Sequence, residues 1–129
     1  MMSIISIAIG GAAGSLCRYG MSNGIYLLLG RSFPYGTLAV NILGSFIMGS
    51  VYILMIERAS ISEELRAGIT IGLLGAFTTF SAFSIETINL IESGEISKAG
   101  LNILFSVTLC IAGCWLGMNL SRQIYYVFL

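Results

Sequence analysis

The residues whose types and spacing could do chemistry are concentrated between Gly72 and Glu86. This window reads GLLGAFTTFSAFSIE and holds two glycines, two adjacent threonines, two serines and three phenylalanines. Glycine and threonine are mediocre helix formers, and hydroxyl side chains compete for backbone hydrogen bonds. The window therefore predicts a helix that is interrupted between Gly75 and Ser81.

An interruption of this kind would free backbone groups that can bind ions. Freed carbonyl oxygens can coordinate a hard cation such as sodium, whereas amides and hydroxyls can hold an anion. The rings of Phe80 and Phe83 have positively polarised edges, which can meet a small anion without attracting cations. A lone phenylalanine in a membrane helix usually packs or faces lipid, but the hydroxyls around these two rings favour ion binding.

The elements that must carry this window are helices in a lipid bilayer. The chain has 129 residues, of which 57% are hydrophobic and 9% are charged, whereas ordinary soluble domains are roughly a quarter charged. A soluble domain of this size could not bury so much apolar surface. The long apolar runs predict one domain over residues 1–129 with four spans, at about 3–29, 36–56, 65–91 and 97–120. Long runs without alternation favour helices over a barrel.

Composition also excludes several classes of function. The net charge is zero and no histidine is present, so no basic surface is expected to attract nucleic acid. The cysteines show no CxxC spacing, which argues against a zinc or redox site. No combination of residues suggests catalysis, so we do not expect an enzyme. Because no positive region precedes the first apolar run, we expect a retained helix there and not a signal peptide.

Two polar residues stand out in the first and second segments. Arg18 lies far along an apolar run, where a charge is costly in lipid and usually faces protein or water. We expect a structural role for Arg18, with snorkelling and ion contact as the alternatives. Asn41 needs a hydrogen-bond partner, which could be a neighbouring helix or an anion that accepts from its amide.

A stripe of small polar residues runs along the fourth segment. Asn102, Ser106, Cys110 and Cys114 are each four residues apart, which places them on one slanted face of a helix. The Ser106 hydroxyl can donate a hydrogen bond, whereas the two thiols are weak donors. A packing seam between helices explains the stripe as well as an ion pathway does.

Basic residues give the chain little preference for one orientation in the membrane. One side would carry Arg58, Arg66 and Arg122, and the other would carry Arg31 and Lys98. The positive-inside rule needs a clear bias to fix topology. We therefore predict insertion in both orientations and an antiparallel homodimer; the alternative is a weak preference that cellular factors decide.

Three stretches of the sequence resemble the Fluc/CrcB family of fluoride channels. The most specific is GAFTTFSAFS at residues 75–84, and the others are GGAAG at 10–14 followed by Arg18, and YGTLAVN at 35–41. The resemblance extends over the whole chain. It implies a dual-topology homodimer in the cell membrane, with two fluoride pores at the subunit interface and passive export of cytoplasmic fluoride.

The resemblance also assigns roles to individual residues. Eight of them would form the fluoride pathway: Asn41, Phe80, Ser81, Phe83, Ser84, Ser106, Cys110 and Cys114. The backbone carbonyls of Gly75 and Thr78 would hold one structural sodium ion shared across the dimer axis. Arg18 matches a basic residue of the family, and Glu86 follows the motif without a clear role.

The sequence departs from the family pattern at two places, and two other functions compete. Ala82 occupies a position where the family usually has serine or threonine, and thiols at Cys110 and Cys114 replace common hydroxyls.

A small multidrug transporter is the main alternative, although such proteins need a glutamate in the first helix and this segment has Arg18 and no acid. A non-transporting assembly subunit is the second alternative.

Overall fold

The computed structural model describes residues 1–57 and 61–128, and within them all regular secondary structure is helical. The elements, in chain order, are α1 (Met2–Leu29), α2 (Tyr35–Glu57), α3 (Glu63–Ala67), a π-helical turn (Gly68–Leu74), α4 (Gly75–Phe77), α5 (Phe80–Glu92) and α6 (Ile96–Phe128). The segment from α3 to α5 is one bent span, so four helices are long and apolar enough to cross a membrane. This confirms the all-helical prediction with four spans. The predicted topology determinant Arg58 lies outside the described residues.

Local sequence signals explain where the helices begin and end. The Ser62 hydroxyl caps α3 by accepting a hydrogen bond from the Leu65 amide at 3.3 Å, as serine commonly does at a helix start. Gly30 ends α1 and Gly94 follows α5, with φ angles of 80° and 79° that favour glycine. Helix α6 continues to Phe128, beyond the span expected near residue 120.

Glycines allow two pairs of helices to pack in backbone contact. A Cβ atom on Gly10 would lie 2.2 Å from the Gly68 carbonyl oxygen, and one on Gly14 would lie 2.1 Å from that of Leu73. These contacts hold α1 against the π-helical turn. On the other side, a Cβ atom on Gly49 of α2 would lie 2.1 Å from the Cys114 carbonyl oxygen of α6. Close approach at small residues is the usual way that helices associate in lipid.

Large apolar side chains cover much of the outer surface. Leu27, Ile111 and Trp115 are 88%, 66% and 63% exposed. A soluble monomer rarely exposes contiguous apolar surface on this scale, whereas such side chains suit contact with acyl chains. The described surface therefore agrees with a protein whose solvent is lipid.

Candidate functional site

Two residues in the middle of the third span have a non-helical backbone. Thr78 has φ −81° and ψ 156°, and Thr79 has φ −151° and ψ 119°. Both are extended conformations, and they separate α4 from α5 within a span that is otherwise continuous. The Thr79 hydroxyl accepts a hydrogen bond from the Ala82 amide at 3.2 Å, so this residue also caps the start of α5.

Asn41 of α2 binds the extended backbone with both ends of its carboxamide. Its Oδ1 accepts from the Thr79 amide at 2.8 Å, and its Nδ2 donates to the Thr79 carbonyl at 2.9 Å. The direction of the Thr79 amide fixes which end of the carboxamide is oxygen. Of the two partners expected for Asn41, the structure therefore supplies the neighbouring span, through its backbone at Thr79. The second hydrogen of Nδ2 takes no part in these two bonds.

The same hydrogen bonds release two backbone carbonyls from helical pairing. In a continuous helix the Thr79 amide would donate to the Gly75 carbonyl, and the Ala82 amide would donate to that of Thr78. The first amide instead binds Asn41 and the second binds the Thr79 hydroxyl. Gly75 and Thr78, the two predicted sodium ligands, therefore lose the donors that a regular helix would give them.

A groove of about 450 Å³ lies between α2, α5 and α6. Six of the eight predicted pathway residues line it: Asn41, Phe80, Phe83, Ser106, Cys110 and Cys114. Sequence reasoning did not select two further lining residues, Ser45 and Met48. Ser45 lies four residues after Asn41 and so shares its face, which was a usable signal, whereas Met48 reads as an ordinary apolar residue.

The two predicted aromatic residues of the groove have different surroundings. Their ring centroids are 5.1 Å apart and the planes are tilted by 50°. Phe83 is 9% exposed and packs within the subunit, whereas Phe80 is 76% exposed. Only one ring is therefore held by the subunit itself, and the other projects from its surface.

A chain of hydrogen bonds that begins at the Phe83 carbonyl joins α5 to α6. The Thr87 hydroxyl donates to the Phe83 carbonyl at 2.7 Å and accepts from Asn102 Nδ2 at 2.9 Å. Asn102 is 1% exposed, and its Oδ1 lies 3.5 Å from the Ser106 hydroxyl. These buried polar contacts set the orientation of the Ser106 face of α6 towards Phe83, and Thr87 was not among the predicted residues.

The structure does not bring Ser81 and Ser84 into this groove. The Ser84 hydroxyl donates to the Phe80 carbonyl of its own helix at 2.9 Å. Ser81 lies 3.2 Å from the Thr79 hydroxyl and lines a second cavity of about 660 Å³. Successive helical residues differ by about 100° in direction, so Ser81 lies on a different face of α5 from Phe80.

The second cavity contains Arg18, for which a structural role was expected, and Glu86, to which no role was assigned. Arg18 and Glu86 both line it, and within the described residues they form no ion pair with each other. Glu86 Oε1 accepts from the Thr37 hydroxyl at 2.7 Å and from the Tyr26 hydroxyl at 3.2 Å. The buried Glu86 Oε2 has no hydrogen-bond partner among the described residues.

Comparisons with known proteins agree with the resemblance. The profile of a family described as CrcB-like protein, Camphor Resistance (CrcB), matches residues 5–118. A Methylococcus capsulatus protein named fluoride-specific ion channel FluC is 51% identical over 123 residues, which cover 95% of this chain and 54% of that relative. Proteins of the same name from Geobacter sulfurreducens and Coxiella burnetii are 49% and 53% identical over 124 residues. These matches cover 96% and 95% of this chain and 100% of each relative, so the chain spans about half of the first relative and all of the other two.

Proposed function

The chain belongs to the CrcB-like family of multi-pass membrane proteins, and from that premise we propose that it is a fluoride-selective ion channel. The relatives named as fluoride-specific ion channels match almost the whole chain. The observation that carries the proposal is the groove between α2, α5 and α6, where six of the eight predicted pathway residues meet. We place the protein in the inner membrane of a bacterium, as its relatives suggest.

Selectivity for fluoride would come from replacing its hydration shell in a narrow path. Fluoride is small and strongly hydrated, so the path must offer donors that compete with water. The free hydrogen of Asn41 Nδ2 and the positive edges of Phe80 and Phe83 supply them. The Ser106 hydroxyl donates to Asn102 Oδ1 at 3.5 Å, so it would have to turn from Asn102 to bind fluoride. The described lining contains no carboxylate, so no fixed negative charge opposes an anion there. Movement would be passive and would follow the electrochemical gradient.

A second copy of the chain would complete the pore. The groove is open on one side, and Phe80 is 76% exposed. A single subunit therefore cannot surround an ion at this position. A partner inserted in the opposite orientation would cover the groove and form a second, symmetry-related path. We propose this antiparallel homodimer as the working unit of the channel.

The backbone at the extended residues fits a structural sodium ion. The Gly75 and Thr78 carbonyls have lost their helical donors, and carbonyl oxygens suit a hard monovalent cation. Sodium bound there would supply a fixed positive charge, and the carbonyls of these two residues from each subunit would coordinate it. Removing sodium during purification should then loosen the dimer, which size-exclusion chromatography in sodium and in N-methylglucamine would detect.

A liposome efflux assay tests the proposed function. Vesicles that contain the purified protein should release fluoride, as a fluoride electrode detects, and should retain chloride, with no proton gradient imposed. Proton-coupled release of a cationic dye would instead indicate a small multidrug transporter, and an absence of either flux would indicate an assembly subunit. Helix α1 contains no acidic residue, which argues against the transporter.

The predicted dual topology needs its own experiment. Reporters that are active on opposite sides of the membrane would be fused to the C-terminus and expressed separately. Activity from both fusions at comparable levels supports insertion in both orientations. Activity from only one fusion contradicts the antiparallel arrangement while leaving the ion specificity open to the efflux assay.

A further inference from the structure

Three sulfur atoms lie along the groove that we assign to fluoride. Met48 of α2 and Cys110 and Cys114 of α6 all line this one cavity. Both cysteines are free thiols that are only partly buried. The three side chains come from two different helices that face each other across the groove, so they surround part of it and do not merely follow one helix.

The packing of α2 on α6 fixes the positions of these three residues. Gly49, which follows Met48, approaches α6 so closely that a Cβ atom would lie 2.1 Å from the Cys114 carbonyl oxygen. Cys110 and Cys114 are one helical turn apart, a spacing at which side chains are neighbours on a helix surface. The thioether and the two thiols are therefore carried on packed helices within one helical turn of each other along α6 and beside Gly49 of α2.

Thiolate and thioether ligands select soft metal ions. A site with two thiolates and one thioether suits Cu(I), and by the same softness Ag(I), better than zinc, calcium or magnesium. The described lining of the groove offers no carboxylate for a hard cation such as calcium. It also offers no histidine or further cysteine to complete the four ligands of a structural zinc site. The donor set is thus specific to one class of ion.

We propose that Met48, Cys110 and Cys114 form a binding site for a soft monovalent metal ion, which blocks the groove when it binds. Each thiol loses its proton to the water of the groove as its thiolate binds the metal, so one Cu(I) held by two thiolates releases two protons. The bound unit carries one net negative charge, because two thiolates surround one monovalent cation. It therefore opposes fluoride by occupying the path and by electrostatic repulsion. Blocking rests on the proposed function, but metal binding does not.

Metal binding is tested by titrating the purified protein with Cu(I). The titration runs without oxygen, in competition with a chelator that changes colour when it binds Cu(I). The wild-type chain should bind one Cu(I) ion, and C110S/C114S should bind none at the same chelator concentration. M48L keeps the apolar volume without the sulfur. It should bind at least about tenfold more weakly, because losing even a partner of a metal ligand costs about 10–100-fold in affinity. The control is C17S, because Cys17 lies on α1, outside the groove, and is exposed.

Each outcome decides the proposal. Equal Cu(I) binding by the wild type and by C110S/C114S, or loss of binding in C17S, would overturn the site. If the double variant fails to fold, C110S and C114S are titrated singly, and each must weaken binding for the site to stand.

Blocking is measured with silver nitrate on vesicles that release fluoride in chloride-free buffer. Silver should stop release by the wild type and by C17S, whereas C110S/C114S should keep the release rate that it had before silver was added. Continued release by silver-loaded wild type would overturn blocking. An absence of release before silver is added would instead refute the proposed function, and the Cu(I) titration would still decide the site.

Discussion

Replacing Asn41 with alanine should release the backbone of Thr79. The carboxamide makes two hydrogen bonds to this residue, at 2.8 and 2.9 Å, and both disappear in Asn41→Ala. Hydrogen bonds between helices in membrane proteins contribute about 0.6 kcal/mol on average and about 1.7 kcal/mol at most. An unpaired backbone donor or acceptor adds to that loss where water is scarce. We therefore expect local opening at Thr79 to become easier by about 2 kcal/mol.

Amide hydrogen exchange at Thr79 measures this change directly. Exchange of a protected amide follows the population of its open state, and 2 kcal/mol corresponds to an increase of about 30-fold. The rate would be read by NMR on labelled protein in detergent micelles. Asn119→Ala is the matched control, because the Asn119 side chain donates to the Trp115 carbonyl of its own helix at 2.8 Å. Exchange at Thr79 should not change in that variant. A rate in Asn41→Ala within about threefold of the wild-type rate would refute the double hydrogen bond as the support of this backbone.

Three further substitutions have defined outcomes. Gly14→Ala should lower the unfolding free energy by about 2 kcal/mol or more, because its Cβ atom would lie 2.1 Å from a carbonyl oxygen and overpacking a core has a cost on this scale. The control is Gly24→Ala, whose Cβ atom would meet nothing within 4 Å. Equal stability of the two variants would contradict the close packing at Gly14. Thr37→Val should lower the unfolding free energy by about 1–3 kcal/mol, because it removes a hydrogen bond of 2.7 Å to the Glu86 carboxyl group and leaves a partly buried acceptor with one partner fewer. Unchanged denaturation in detergent would contradict this. Cys110→Ser should raise the fluoride efflux rate, because a hydroxyl is a stronger donor than a thiol, and a lower rate in vesicles would show that the thiol does not limit conduction.

The number and position of the helices could be predicted from the sequence because long apolar runs indicate segments that span the membrane in contact with lipid. The predicted spans lack charges through most of their length, and backbone in lipid has few alternatives to a helix. The resemblance and the stripe on α6 together selected six residues that line one groove, since a four-residue spacing places side chains on one helical face. The end of the fourth span was predicted near residue 120 from the apolar run, but a helix can continue past the membrane, and α6 extends to Phe128.

The contacts between helices could not be read from one sequence. Nothing in the spacing of Asn41 indicates that its partner is the peptide of Thr79, because the register between α2 and the third span is set by tertiary packing. The same holds for Thr87 and Asn102, whose pairing joins α5 to α6. Ser81 adjoins Phe80 in the chain, but adjacent residues on a helix point in different directions, so the two residues line different cavities.

Fluoride efflux through a Phe80 variant tests most directly whether the groove conducts. Phe80→Ile removes the ring edge but should leave the subunit folded, because the ring is 76% exposed. Edge contacts of aromatic rings contribute about 0.5–1.5 kcal/mol, which corresponds to a fall of about 2- to 10-fold in the rate of fluoride release from vesicles. Phe105→Ile is the control, because Phe105 adjoins Ser106 in α6 but does not line the groove, and its variant should release fluoride at the wild-type rate. Wild-type release by Phe80→Ile would contradict our assignment of the groove as the fluoride path.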